Sequence, residues 1–548
     1  MADEPVLTAA QIDRIRPFSV PRIVKKGEIL FEPADKDIRF FVVISGCIAI
    51  TQPEDDREQI VAERKPGQFT GEMTMLSGRR SLLRGRVAED GEVLAVTAEN
   101  LKGLITKDAE LGEIIMAAFV LRRLELIDRG KGNVVLLGSN HSANTLELRE
   151  FLTRNGHPFA YLDLDTDPSS QALLDRFNVQ MGDVPMVICN NRNVLRNPSI
   201  HALTECLELN GAIDLSKTRD VIIIGAGPAG LAAAVYAASE GLDVLVIEKG
   251  APGGQASSSS KIENYLGFPN GLSGQELANL ALAQTTKFGA RIMVAETAVY
   301  LDCGRSPYRL VLHDGKKLSA RTIVLASGAQ YARLPLENID AFAGRGIYYN
   351  ATHMEGQLCN QEEVIVVGGG NSAGQAAVFL SRNSSRVHML VRSGKLADTM
   401  SNYLIERIEE NPKIDVHYRT EITELKGNGH LDSVVWRNGA TGESACHPIR
   451  HAFIMAGASP RTEWLEGCIA LDKRGFIFTG PDVVPMQAEF PWPLKRSPFM
   501  LETSLPGVFA VGDARSGSVK RVASAVGEGS IAVHFVHQVL AEMALSAG

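Results

Sequence analysis

Twice in this chain a short run of Val and Ile breaks into glycines and then into a helix-forming stretch, and this leaves few folds open. Val221-Ile222-Ile223-Ile224 leads into Gly225-Ala226-Gly227-Pro228-Ala229-Gly230. Val364-Ile365-Val366-Val367 leads into Gly368-Gly369-Gly370-Asn371-Ser372-Ala373. A continuous apolar run reads as a strand buried on both faces, as in a parallel sheet flanked by helices. Glycines at these spacings allow a tight turn and let the backbone approach a pyrophosphate at the N-terminus of the next helix. The first motif is followed by the strand Val244-Leu245-Val246-Ile247 and then Glu248. That is about 20 residues on, where a carboxylate binds both ribose hydroxyls of a dinucleotide. After the second motif, Val387-His388-Met389-Leu390-Val391 ends in Arg392 instead. A guanidinium there favours a 2′-phosphate, and so NADPH, with NADH as the alternative. Lys395 lies close by and adds a second positive charge.

The texture changes along the 548 residues, a length that suits three or four domains. Residues 1–128 carry the alternating runs Phe40-Phe41-Val42-Val43-Ile44 and Cys47-Ile48-Ala49-Ile50, with Ser45-Gly46 read as a turn between them. This spacing predicts a small β-barrel or β-roll, closed by an apolar helix near 108–127. Residues 129–133 read as a linker. Residues 133–212 predict a strand at 134–137, a helix at 145–154, a strand at 159–162, a helix at 169–177, and Val184-Pro185 before a strand at 186–188. From 217 onward strands and helices alternate, the α/β pattern of doubly wound nucleotide-binding units.

The net charge of −8 offers no basic field for nucleic acid. No run of about 18 apolar residues is present, so no membrane span is expected. The start, MADEPVLTAA, lacks a basic region followed by an apolar stretch, and a cytoplasmic location is the expectation. The seven cysteines are scattered, with no C-x-x-C. That pattern argues against a disulfide framework and against a structural metal site.

Further segments carry a family resemblance. Gly253-Gly254-Gln255, Ile262-Glu263-Asn264-Tyr265-Leu266-Gly267-Phe268-Pro269, Thr322 through Ala329, Gly512-Asp513 and Arg521-Val522-Ala523 are similar to segments of bacterial thioredoxin reductase. The resemblance covers about 220–548. It implies the class II pyridine nucleotide-disulfide oxidoreductase architecture, with two Rossmann-like units. One unit binds FAD (217–332 and 455–548); the other binds NAD(P)H (333–454) and is inserted into it. By this resemblance Gly254, Gln255, Asn264, Ala326, Gly328, Gly512 and Asp513 contact FAD, and Arg521, Val522 and Ala523 bring a helix N-terminus to the flavin. The family forms homodimers, and its two units rotate so that nicotinamide and a dithiol reach the flavin in turn. That dithiol is Cys-Ala-Thr-Cys in the family. Here the corresponding residues are Asn350-Ala351-Thr352-His353. Asn350 and His353 cannot form a disulfide relay. His353 is either a hydrogen-bonding or proton-donating neighbour of the flavin, or a residue filling the space left by a cysteine. Cys359 is close in sequence but isolated.

Residues 133–212 resemble a thioredoxin or glutaredoxin domain in element order and in Val184-Pro185, where that family has a cis-proline. No cysteine lies where its C-x-x-C would fall, near 138–143. The domain is read as a docking surface or as a spacer. Residues 1–128 resemble a cyclic nucleotide-binding β-roll through Gly27 to Ile50, Pro66-Gly67-Gln68-Phe69 and Gly71-Glu72. The resemblance implies that Glu72 holds a ribose 2′-hydroxyl and Arg80 pairs with a cyclic phosphate, with Gly71 and Ser81 completing the cassette. Arg80 stands one residue nearer to Glu72 than is usual.

These residues together predict an NADPH-dependent FAD oxidoreductase that hands electrons to a redox protein or small-molecule acceptor. A ferredoxin, a flavodoxin, a quinone, oxygen and a disulfide protein are the acceptor classes. The alternatives are a cyclic-nucleotide and redox sensor with little turnover, and a thioredoxin reductase that uses other thiols.

Overall fold

A computed structural model describes residues 5–547, apart from 34, 36–37, 55–56, 72–73, 78–80, 82, 129–133, 140–141, 165–182, 190–192, 260, 332, 350, 352–355, 357–358 and 487. The chain opens with α1 (Ala9–Ile15), started by a reciprocal capping box between Thr8 and Gln11. Then come β1 (Val20–Val24), β2 (Ile29–Phe31), β3 (Phe40–Glu54), β4 (Arg57–Arg64), α2 (Thr74–Ser77) and β5 (Arg84–Val96). The sheet order is β1-β5-β3-β4, with β2 also on β5. The expected turn at Ser45-Gly46 is not a turn. β3 runs straight through it, and the register with β5 shifts at Ser45 and Cys47. Gly46 has φ 81°, and a Cβ there would lie 2.6 Å from the Asp90 carbonyl oxygen. Extra residues in a ladder bend it without reversing the chain, and glycine suits both outcomes. Phe40, Phe41, Phe69 and Phe119 fill the core, the last from α4 (Ala109–Asp128), which follows α3 (Ala98–Lys107).

A second sheet follows: β6 (Val134–Gly138), β7 (Ala160–Asp163), β8 (Met186–Cys189) and β9 (Asn193–Arg196), with α5 (Ala143–Arg154) after β6 and α6 (Ile200–Cys206) after β9. Its order is β7-β6-β8-β9; β6 and β7 are parallel and the other pairs antiparallel. Val184–Pro185 is cis. The helix expected at 169–177 lies outside the described residues.

The third sheet has β10 (Thr218–Ile224) between β11 (Val244–Ile247) and β15 (Lys317–Leu325), parallel to both. β12 (Arg291–Met293) extends it on one side, and β13 (Ala298–Asp302) and β14 (Tyr308–Leu312) form an antiparallel meander on the other. α7 (Pro228–Ser239) and α8 (Gly274–Lys287) cover one face. The chain leaves through β16 (Ala329–Gln330) into β17 (Ile347–Tyr348), β18 (Glu363–Val367), α9 (Asn371–Leu380), β19 (Arg386–Val391), α10 (Asn402–Glu409) and β20 (Ile414–Tyr418). An antiparallel meander, β21 (Thr420–Gly427), β22 (Leu431–Asn438) and β23 (Ser444–His447), precedes β24 (His451–Ile454). The parallel order is β17-β24-β18-β19-β20. The chain returns through β25 (Ser459–Pro460), paired with β16, and β26 (Val508–Ala510) joins β15. α11 (Val522–Ala547) closes the unit. Among the described residues no helix is long and apolar enough to cross a membrane.

α11 crosses α7 at very short range. A Cβ on Gly529 would lie 2.3 Å from the Ala229 carbonyl oxygen, and the facing stretch of α7 is mostly alanine. Gly529→Leu therefore pushes the two helices apart. The expected loss is about 2 kcal/mol, read as a lower urea midpoint together with lower flavin content after purification.

Candidate active site

The first glycine loop is shaped by contacts that leave no room for side chains. Gly225 has φ 105°, and a Cβ there would come 2.2 Å from the Ala326 carbonyl oxygen. One on Gly254 would come 2.9 Å from the Gly227 Cα, so two bare backbones face each other across the opening. Gly227 caps α7, and Pro228 and Ala229 form its first turn, with Gly230 packed on Gly225. The Glu248 carboxylate, at the end of β11, accepts the N–H groups of Ala226 (2.7 Å) and Gly250 (2.8 Å). Burial pushes its pKa up, against those two bonds and the charges of Arg154 and Arg461. The late segment closes the same opening. Gly512, φ 67°, donates its N–H to Glu528 at 2.7 Å, and a Cβ on it would stand 3.0 Å from that of Ala229. Asp513 follows it; burial raises its pKa, opposed by Lys520. Gly328, φ 65°, is on the crossing to β16; Gln255 and Asn264 are exposed; Arg521 precedes α11, which Val522 and Ala523 begin. The bare cradle, the helix N-terminus and the buried acid fit the pyrophosphate and ribose of FAD.

The second motif repeats the device. Gly368 has φ 142°, with the Met455 carbonyl oxygen 2.6 Å from where its Cβ would be. Gly370 caps α9. The Asn371 side chain accepts the Ser401 N–H at 2.8 Å, and Ala373 is fully buried. Arg392 leaves the end of β19 into solvent. Lys395 pairs with Asp398 at 3.1 Å.

Several residues were missed by sequence reading. Arg419, φ 53°, follows β20, donates its N–H to the Ser393 carbonyl at 3.2 Å and lays its guanidinium beside Gly394. Only the pairing of β19 with β20 brings it to Arg392. Tyr331, half-buried at the crossing, lies close to Ser372 and Asp513, so it stands between the two glycine motifs. Arg154, from the end of α5, donates to the Gly254 carbonyl at 3.0 Å, while Asn155 reaches that of Gly250 at 3.4 Å. The second sheet unit therefore touches the FAD cradle directly.

Asn350 and His353 lie outside the described residues. Ala351 between them is buried, and Cys359 is wholly buried in the core of the β18–β20 unit. The expectation of no disulfide is corrected. Cys303, in the β13–β14 turn, and Cys468, after β25, form one, with Cα atoms 5.9 Å apart.

Glu72 and Arg80 also lie outside the described residues. Gly71 has φ 109°, and the buried Ser81 hydroxyl donates to the Leu83 carbonyl. Behind them Arg122 of α4 donates to the carbonyls of Phe69 (3.0 Å) and Gly71 (2.9 Å) and stacks on the Phe69 ring.

Residues 219–529 match the model of the pyridine nucleotide-disulphide oxidoreductases. The chain belongs to that family. Residues 21–108 match the cyclic nucleotide-binding domain. The thioredoxin reductase of Bacillus subtilis is 33% identical over 328 residues, 60% of this chain and 96% of that protein. That of Streptomyces coelicolor is 33% identical over 316 residues, 58% of this chain and 92% of that protein. The crystal structure of Lactococcus lactis thioredoxin reductase superposes with a TM-score of 0.53 at 28% identity, over 59% of this chain and all (100%) of that one. The chain is thus an NAD(P)H-dependent flavin oxidoreductase of the thioredoxin reductase type, in a family that uses FAD and NADPH.

Arg392→Ala and Arg419→Ala are each expected to raise the KM for NADPH roughly tenfold, the worth of one charge-assisted phosphate contact. The KM for NADH and the kcat should stay as they are. Steady-state kinetics with both nucleotides checks this, and equal losses for NADH would remove the 2′-phosphate role.

Proposed function

We propose that this protein takes hydride from NADPH onto FAD and passes the electrons directly to an external acceptor, without a dithiol relay of its own. The observation that carries this reading is Asn350-Ala351-Thr352-His353 in place of the family's Cys-Ala-Thr-Cys. A relay requires two thiols within bonding reach, one attacking as thiolate, and neither end of this tetrapeptide has one. FAD, when bound, accepts hydride at its ring and releases electrons singly or in pairs. The chain supplies the bare cradle around Gly227 and Gly254, a helix N-terminus at Val522, and Arg392 with Arg419 at the nicotinamide dinucleotide's phosphate end. A ferredoxin, a flavodoxin or a quinone is the acceptor class.

The N-terminal domain is proposed to bind a cyclic nucleotide through Gly71, Glu72, Arg80 and Ser81. Support comes from the domain match over these residues and from Arg122, which ties Phe69 and Gly71, the first cassette residue, to α4. Residues 133–212 are read as a thioredoxin-like domain without C-x-x-C; the β7-β6-β8-β9 order supports this. Its role would be to dock an acceptor near the cradle that Arg154 touches.

The Cys303–Cys468 pair favours a second reading, in which FADH2 is oxidised to FAD as the disulfide takes two electrons and two protons to become two thiols. Anaerobic stopped-flow kinetics separates the two. Under the first reading NADPH bleaches the flavin, a carrier or quinone restores it, and NADPH-driven insulin reduction through added thioredoxin is negligible. Efficient insulin reduction that disappears in the Cys303→Ser/Cys468→Ser double variant would establish the second. Independently, Glu72→Ala and Arg80→Ala should each weaken cyclic AMP or cyclic GMP binding by at least about tenfold in calorimetry. An unchanged affinity removes the cassette assignment.

A further inference from the structure

A cluster of histidines lies outside everything described so far. On the face of the β17–β20 sheet turned toward the β21–β23 meander, His388 (β19) and His417 (β20) meet with Nδ1 and Nε2 3.1 Å apart. Asp415, beside His388 in the register, puts a carboxylate oxygen 4.0 Å from the same Nδ1. One atom from each of the three lies within 4.8 Å of the others. Trp436 of β22 covers them, its ring 5.5 Å from that of His388 and 5.4 Å from that of His417. His447 of β23 stacks on Trp436 at 3.5 Å, and its buried Nε2 has no hydrogen-bond partner.

The proton positions follow from the partners. His388 Nε2 faces the Glu363 carboxylate at 3.2 Å, and a carboxylate only accepts. The ring proton therefore sits on Nε2, and the Nδ1 lone pair points at His417. This is the arrangement of a metal-binding histidine, whose second nitrogen donates to a carboxylate that fixes its tautomer. His417 turns its Nε2 toward that lone pair from the neighbouring strand, so one nitrogen from each ring faces the same point. Ligand atoms around a four-coordinate zinc stand about 3.3 Å apart, given bonds of ~2.0–2.1 Å. At 3.1 Å the two nitrogens are already close to that separation. Asp415 needs only a small movement from Arg386, which holds its carboxylate at 2.9 Å.

We propose that His388, His417 and Asp415 bind a zinc ion that ties the edge strand β20 to β19. These are the strands that end at Arg419 and Arg392. Two imidazoles and a carboxylate, with water in the fourth position, suit zinc and related divalent ions rather than magnesium or calcium.

The test uses the full-length protein with its flavin, stripped with EDTA and desalted. Zinc chloride is titrated while tryptophan fluorescence is followed, and bound zinc is measured after gel filtration. The expected result is about one zinc per chain, a fluorescence change from Trp436, and a higher unfolding temperature in the loaded protein. His388→Gln and His417→Gln should each weaken binding at least tenfold, while Cys446→Ser, which removes the exposed thiol on β23, should not. Unchanged flavin absorbance and NADPH reduction show that the variants are folded. Cobalt bound to the wild type gives a second readout: visible bands of a four-coordinate nitrogen–oxygen site. No retained zinc, equal affinity in the histidine variants, or a thiolate charge-transfer band with cobalt would each overturn the proposal.

Discussion

Everything in the catalytic half of this molecule depends on backbone meeting backbone where a side chain would not fit. Gly225 against Ala326, Gly254 against Gly227, Gly529 against Ala229 and Gly368 against Met455 are contacts that a single Cβ would break. They set the depth of the cradle, the start of α7 and the placement of α11. They also explain why Ala226, Gly250 and Gly512 turn their N–H groups toward carboxylates. A loop with no side chains has only its amides to satisfy, and Glu248 and Glu528 accept them. The acid at the end of β11 therefore holds the loop through two backbone amides.

The two cofactor units are joined by little structure. β16 and β25 form a two-residue ladder, Arg461 meets Gln330 across it, and an ion pair between Arg407 of α10 and Glu263 spans the cleft. Arg407 is about half exposed, and exposed pairs contribute at most about 1 kcal/mol. Tyr331, half-buried at the crossing, adds a contact near Ser372 at the same junction.

The strands of both glycine motifs were legible because a run of Val and Ile is buried on both faces wherever it falls, and the chain needs no distant partner to show it. Ser45-Gly46 was misread because a turn and a bulge ask for the same residues; only the facing strand β5 decides between them. Arg419, Arg154 and Tyr331 carry no local signature at all. They become site residues through parallel pairing, a contact between units and a chain crossing respectively. Cys303 and Cys468 are separated by 165 residues, and scattered cysteines give no pairing until the meander and the return segment are folded together. The histidine cluster was equally hidden. His388 reads as one polar residue in an apolar strand, and its partners belong to other strands, β18, β20 and β22.

The N-terminal domain is not a free appendage. Arg122 fixes α4 to the carbonyls of Phe69 and Gly71, and α3 and α4 both rest on α8 of the FAD unit. Gln275, near the start of α8, donates to the Arg154 carbonyl, and Arg154 in turn holds the Gly254 carbonyl at the cradle. Each link is a direct contact between packed helices or a hydrogen bond, so α4 is connected to the backbone at Gly254. Contiguity alone does not make a switch; a switch needs an element with two arrangements that a ligand favours unequally.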